Sequence, residues 1–111
     1  MIWPGDIPEV RHEQHYDGRI GRSYVDRPRD LGVMFRAAVA ANPRGEAVAD
    51  ERRCLTYGAL DREVRALAAA LAERGVRQGD RIAVFLWNSV EFVVAFHAIQ
   101  HIGAIGVPLN V

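Results

Sequence analysis

The stretch RIAVFLWNSVEFVVAFHAIQHIGAIGVP, residues 81–108, decides the fold. Ile82-Ala83-Val84-Phe85-Leu86 is an unbroken apolar run. Such a run without alternation predicts a strand covered on both faces, the habit of parallel sheets. Asn88 and Glu91, three apart, are spaced for a capping box on a following helix. That helix is expected to bury Phe92, Ala95, Phe96 and Ile99 and to end near Gly103. Ile105 to Val107 then forms a second apolar strand, closed by Pro108. Strand, helix and strand within about 30 residues make a βαβ unit with an expected right-handed crossover. The fold class is α/β.

Upstream, Thr56 is a good helix cap, and Leu60, Val64, Leu67 and Leu71 recur at four, three and four residues. Gly75 supplies the left-handed stop. The alanines at 66, 68, 69, 70 and 72 favour the helix and let a neighbour approach closely. Ala47 to Asp50 and Cys54 to Thr56 read as two short strands joined by a polar turn through Glu51 and Arg52. Asp30 caps a shorter helix carrying Leu31, Met34, Phe35 and Val39 along one side, and Pro43 stops it.

Residues 1–29 differ in kind: three of the five prolines fall there, with three glycines and little apolar periodicity. Such a stretch buries too little surface to offset an ordering cost of roughly 1–2 kcal/mol per residue. It is expected to be an extended arm, either lying on something else through Trp3, Tyr16 and Tyr24 or loosely ordered. The division is therefore 1–29, arm, and 30–111, the packed part.

The 111 residues suit one domain, and half are apolar. Fourteen basic residues balance fourteen acidic ones; all the basic ones are Arg, and Lys does not occur. Schiff-base chemistry and a phosphate loop ending in Lys-Ser/Thr are thereby excluded within these residues. Ser23, Thr56 and Ser89 are the only aliphatic alcohols, too few for a hydroxyl-rich nucleotide cradle. Zero net charge argues against a nucleic-acid binder. A single cysteine, Cys54, fits a reducing compartment and reads as a small buried hydrophobe more readily than as a nucleophile. The opening residues have neither a basic leader nor an apolar stretch, and the apolar run Ile82 to Trp87 is too short for a bilayer. A cytoplasmic chain with no transmembrane segment is expected.

Candidate chemistry is sparse. His97 and His101, four apart on a helix, could face one metal, but residue 98 is Ala where a zincin has Glu, and no third ligand is evident. His12 and His15 lie in the arm, where their spacing carries less. Gly18-Arg-Ile-Gly21 and Gly103-Ala-Ile-Gly106 are two GxxG pairs. The second follows a helix and precedes a strand, the reverse of a dinucleotide site, and reads as a helix stop with a tight entry. Trp87 falls at the carboxyl edge of the sheet and is either a pocket wall or a packed or interfacial indole. Arg62, Arg65, Arg74, Arg77 and Arg81 alternate with Asp61, Glu63, Glu73 and Asp80, a wet face rather than a phosphate platform.

Several segments taken together resemble one family: Leu55-Thr56-Tyr57-Gly58-Ala59-Leu60, Leu71 through Val84, Asn88-Ser89-Val90-Glu91-Phe92, Ile102-Gly103-Ala104, and Val107-Pro108-Leu109-Asn110. This succession is similar to the opening of adenylate-forming enzymes, the AMP-binding superfamily of acyl-CoA synthetases, synthetase adenylation domains and luciferases. It covers roughly residues 46 to 110, and the linear acyl-CoA ligase branch, with its role in fatty acid metabolism, is nearest. Trp87 and Val90 stand where the family commonly has prolines that stiffen the strand-to-helix turn. The resemblance implies a partial N-terminal subdomain of the adenylate-forming type. It also implies that full-length members take a carboxylic acid, ATP, magnesium and CoA, forming an acyl-adenylate and then an acyl-CoA. The Ser/Thr/Gly-rich phosphate loop, the nucleotide site and the C-terminal lysine of such enzymes are absent before Val111. No catalytic, cofactor-binding or metal-binding residue is assigned within the 111 residues.

The expectation is an incomplete N-terminal piece of an ATP-dependent acid–CoA ligase, inactive alone, in which this segment is scaffold. A two-stranded parallel pair leaves unpaired edges and a bare face, so self-association through the exposed sheet edge is also expected. The alternatives are an interaction module reusing the scaffold through that edge and a histidine metal module.

Overall fold

The computed structural model describes residue 5 and residues 7–111; Trp3 lies outside the described residues. The arm is not merely extended. Strands β1 (Val10–Gln14) and β2 (Ile20–Tyr24) pair antiparallel, with Val10 opposite Tyr24 and Gln14 opposite Ile20. The turn between them holds two left-handed residues, Asp17 (φ 60°) and Gly18 (φ 80°). Asp-Gly tolerates that backbone better than almost any other pair. Gly21 lies under the His15 ring, where a Cβ would come within 2.6 Å of ring carbon, and that ring meets Ser23 Oγ at 3.1 Å. Arg27 donates to Glu13 at 2.6 Å and ties the following segment back onto the hairpin. Tyr16 and Tyr24 are exposed.

Helix α1 (Leu31–Ala41) begins where Asp30 Oδ1 accepts from Val33 N–H at 2.8 Å. Phe35 is buried and Val39 packs beside it, whereas Leu31 and Met34 remain exposed. Strand β3 (Glu46–Ala49) pairs antiparallel with β4 (Cys54–Thr56), with a bulge between Glu46 and Val48. Asp50, expected in the strand, instead opens the turn. Cys54, expected to be buried, is exposed.

Thr56 caps α2 (Tyr57–Glu73) by accepting from Ala59 N–H at 3.2 Å, and Gly75 (φ 93°) ends the run. Strand β5 (Arg81–Val84) leads through Trp87 to α3 (Val90–His101), and β6 (Ile105–Pro108) returns parallel to β5, with Arg81 opposite Ile105. The order of strand, helix and parallel strand is therefore as the sequence predicts, but β5 stops at Val84. Phe85 and Leu86, expected within a strand covered on both faces, lie beyond it and are exposed. The helix also starts differently: the cap is Ser89, accepting from Phe92 N–H at 3.2 Å, not Asn88.

Two apolar clusters share α3. Phe35, Leu60, Val64, Ala68, Val90, Val94 and Ala98 fill the space between the three helices, roofed by Val48 and Leu55 of the β3–β4 hairpin. Val84, Ile99 and Ala104 fill the space between α3 and the parallel pair, and Ile102 touches both clusters. The expected face of Phe92, Ala95, Phe96 and Ile99 is thus corrected to Val90, Val94, Ala98 and Ile99, with Phe96 exposed. A helix packed on two sides is apolar around most of its girth, so its period does not single out one face. The parallel pair is covered on one face only: Val84 is buried while Phe85 is 65% exposed and Ile105 is 52% exposed. The described residues hold three separate two-stranded sheets, and no further strand joins the parallel pair.

Candidate functional site

Ligands of open α/β folds gather beyond the carboxyl ends of the strands. Here that edge carries a cleft of about 440 Å3 between the β5–α3 turn and the chain after β6. Leu86, Trp87 and Asn88 form one wall, Leu109 and Asn110 the other, and Phe92 lies between. Trp87 is 72% exposed and lines this cleft, the pocket-wall alternative of the sequence reading. The polar side chains lining it are the amides of Asn88 and Asn110, which can orient a ligand but have no proton to give or take near neutral pH.

The turn that carries Trp87 is held from behind. Asp50 Oδ1 accepts from the backbone N–H of Arg52 at 2.8 Å and of Arg53 at 3.0 Å. Its Oδ2 accepts from Val90 N–H at 3.0 Å, across 40 residues. These three donors, Val90 first, lower the Asp50 carboxyl to about 2, so it is ionised throughout the neutral range. Beside it Arg53 Nη1 donates to both carboxylate oxygens of Glu63, at 2.8 and 3.0 Å, and Nη2 pairs with Glu91 at 3.1 Å. Arg52 reaches the other Glu91 oxygen at 3.4 Å. Glu91 is lowered from its ordinary value, by a backbone N–H first and then by Ser89 and the two arginines. A charged latch therefore fastens the β3–β4 turn to the start of α3.

Asp50 and Arg53 went unsingled in the sequence reading. Aspartate before a polar stretch signals an Asx turn, but nothing local signals a partner 40 residues away.

The other candidates fall apart from one another. His97 stacks on Phe35 with centroids 4.2 Å apart and meets Phe96 edge-on at 5.3 Å; burial lowers its basicity. His101 is exposed at the helix end, and His12 and His15 lie on the distant hairpin. Among the described residues, no three His, Cys, Asp or Glu side chains gather as a metal site would require. Partial desolvation, then a neighbouring Glu46 carboxylate, raises the Cys54 thiol, which keeps it protonated and a poor nucleophile. Arg62, Arg65, Arg74, Arg77 and Arg81 are all exposed, with Arg65 paired to Asp61 at 2.8 Å. Gly103 (φ 72°) is the helix stop, and Gly106 lies over Ile99.

A parallel βαβ unit preceded by a helix pair and a small hairpin matches the N-terminal subdomain of adenylate-forming enzymes. The sequence profile of the AMP-binding enzyme family matches residues 35–111, and the chain belongs to that family. It is similar to enterobactin synthase component F of Escherichia coli K12, 40% identical over 111 residues, covering 99% of this chain and 8% of that protein. It is also similar to acetyl-coenzyme A synthetase of Emericella nidulans, 45% identical over 96 residues, covering 80% of this chain and 13% of that one. Among solved structures, the N-terminal subdomain of Klebsiella oxytoca NpsA superposes with a TM-score of 0.69 at 30% identity, covering 72% of this chain and 21% of that chain. The Mycobacterium tuberculosis fatty acyl CoA synthetase gives 0.67 at 32% identity, covering 71% and 16%. The chain thus spans less than a quarter of each of these relatives.

The residues present do not fit ATP or magnesium. The side chains lining the cleft include no cation to meet a phosphate and no carboxylate to meet a metal ion. Two of the three aliphatic alcohols are spent on helix caps and the third lies against His15.

Proposed function

We propose that this chain is the scaffold segment of an ATP-dependent acid ligase, in which a carboxylate displaces pyrophosphate from ATP to give an acyl-adenylate. A thiol then attacks the acyl carbon and AMP leaves with the carboxylate oxygen. The observation that carries the reading is the cleft at the carboxyl ends of β5 and β6, within a segment matched to the AMP-binding family over residues 35–111. In this role Leu86, Trp87 and Asn88 wall one side of a ligand space. ATP and magnesium are bound by other parts of such an enzyme. We take coenzyme A as the acceptor, supported by the likeness to acetyl-coenzyme A synthetase. The longer enterobactin synthase match, 111 residues against 96, makes a different thiol the alternative. Fatty acids as substrate and a cytoplasmic setting belong to the same proposal; no helix among the described residues is long and apolar enough to cross a membrane.

Two arms test it. The 111-residue chain should give no carboxylate-dependent exchange of pyrophosphate into ATP; clear exchange overturns the scaffold role. Residues 35–111 grafted in place of the matching segment of the Emericella acetyl-coenzyme A synthetase should retain exchange, and a cooperatively folded graft without it counts against the assignment. The open face, with Phe85 and Ile105 exposed, favours one further reading. Alone, this chain pairs that face or its strand edges with a second copy, and as a dedicated interaction module it would form a discrete, cooperatively melting dimer.

A further inference from the structure

We propose that Asp50 is a positioning residue, a second cap on α3 that fixes the Trp87-Asn88-Ser89 turn at the mouth of the cleft. The first amides of a helix have no partner within it. That of Val90 is the first of α3, and its residue is fully buried, so water does not supply one. Ser89 is already committed to Phe92 N–H. Asp50 Oδ2 fills the vacancy at 3.0 Å, while Oδ1 keeps the β3–β4 turn closed through Arg52 and Arg53. One carboxylate therefore joins two turns, and Arg52 and Arg53 reinforce the joint through Glu91.

The geometry also says what could replace it. Proline at the first helical position has no N–H to satisfy and holds the backbone angle by its ring. The residue before a proline must be extended, and Ser89 is, at φ −155° and ψ 169°. Val90 with Asp50, or proline with no carboxylate, are two solutions to one problem. Mixing them fails: a ring carbon in place of the Val90 hydrogen would press on Oδ2. This inference goes beyond the proposed activity, because it concerns the turn whichever acid is activated.

The test uses the 111-residue chain with Trp3→Phe, so that Trp87 is the only indole. Asp50→Asn keeps an acceptor for one turn but not both. It should raise amide exchange at Val90 by roughly tenfold or more and lower the Trp87 fluorescence anisotropy. Val90→Pro alone should also lower the anisotropy. Asp50→Ala with Val90→Pro should restore it to the parent value. A merely stabilising carboxylate would not be rescued by a proline 40 residues away. Unchanged Val90 exchange in Asp50→Asn overturns the proposal. If that variant does not fold, the double variant decides: folding with parental anisotropy supports the cap, and failure to fold or to recover overturns it.

Discussion

At the scale of single residues, burial rather than sequence position settles the roles. His97 lies flat on Phe35 and is half-buried, so its neutral form is favoured and its folded value falls below the ordinary 6.5. The unfolded chain then binds more protons than the folded one. Stability is full above about 6.5 and is lost as the pH falls from there through the folded value. Denaturant midpoints from pH 7.5 to 5.5 should decline, and His97→Gln should flatten that decline. Asp50 acts in the same sense at lower pH, its contribution present above 3.8 and fading as the pH falls to about 2. Phe35→Ala removes both the stacked ring and a core side chain, at a cost of about 3–5 kcal/mol by urea unfolding. The charged residues on the exposed face of α2 should tolerate Arg62→Ala within about 0.5 kcal/mol.

At the scale of elements, most of the order along the chain was legible. Asp30, Thr56 and Gly75 marked helix ends because caps and left-handed stops are local chemistry. The βαβ unit was legible because its strands are continuous apolar runs. The buried face of α3 was not, since packing on both sides erases the polar stripe that would orient it. Its cap was misplaced by one residue because Asn88 and Ser89 are both good caps, and only the path of the chain chooses between them. The hairpin within the expected arm was not foreseen, because Arg11, His12, Glu13 and Gln14 give it no apolar alternation and only the Asp17-Gly18 turn marks it. Of the cleft, Trp87 was legible by position. The latch behind it was not, because its two ends are distant in sequence. Glycine stops give a graded test. Gly75 has open space around it, so Gly75→Ala should cost only the left-handed penalty, about 1–2 kcal/mol. At Gly103 a Cβ would also approach Gln78 Cγ to 3.0 Å, so Gly103→Ala should cost more in the same urea titration.

At the scale of the whole molecule, α3 is the axis: the helix pair lies on one side and the parallel strands on the other. The outer side of those strands presents Phe85, Ile105 and Val107 to solvent, an apolar surface of the kind that draws partners. Light scattering of the 111-residue chain should show mass rising with concentration. Phe85→Asp together with Val107→Asp should suppress the rise without moving the near-ultraviolet signature of the helical core. The bond from Asp50 to Val90 has a kinetic meaning as well. It closes a loop of 40 residues that encloses all of α2 and β5. Such a long closure gains little until the intervening helix and strand have assembled, which places it after the folding barrier. In stopped-flow denaturant jumps, Asp50→Asn is therefore expected to quicken the unfolding limb while leaving the refolding rate nearly where it was.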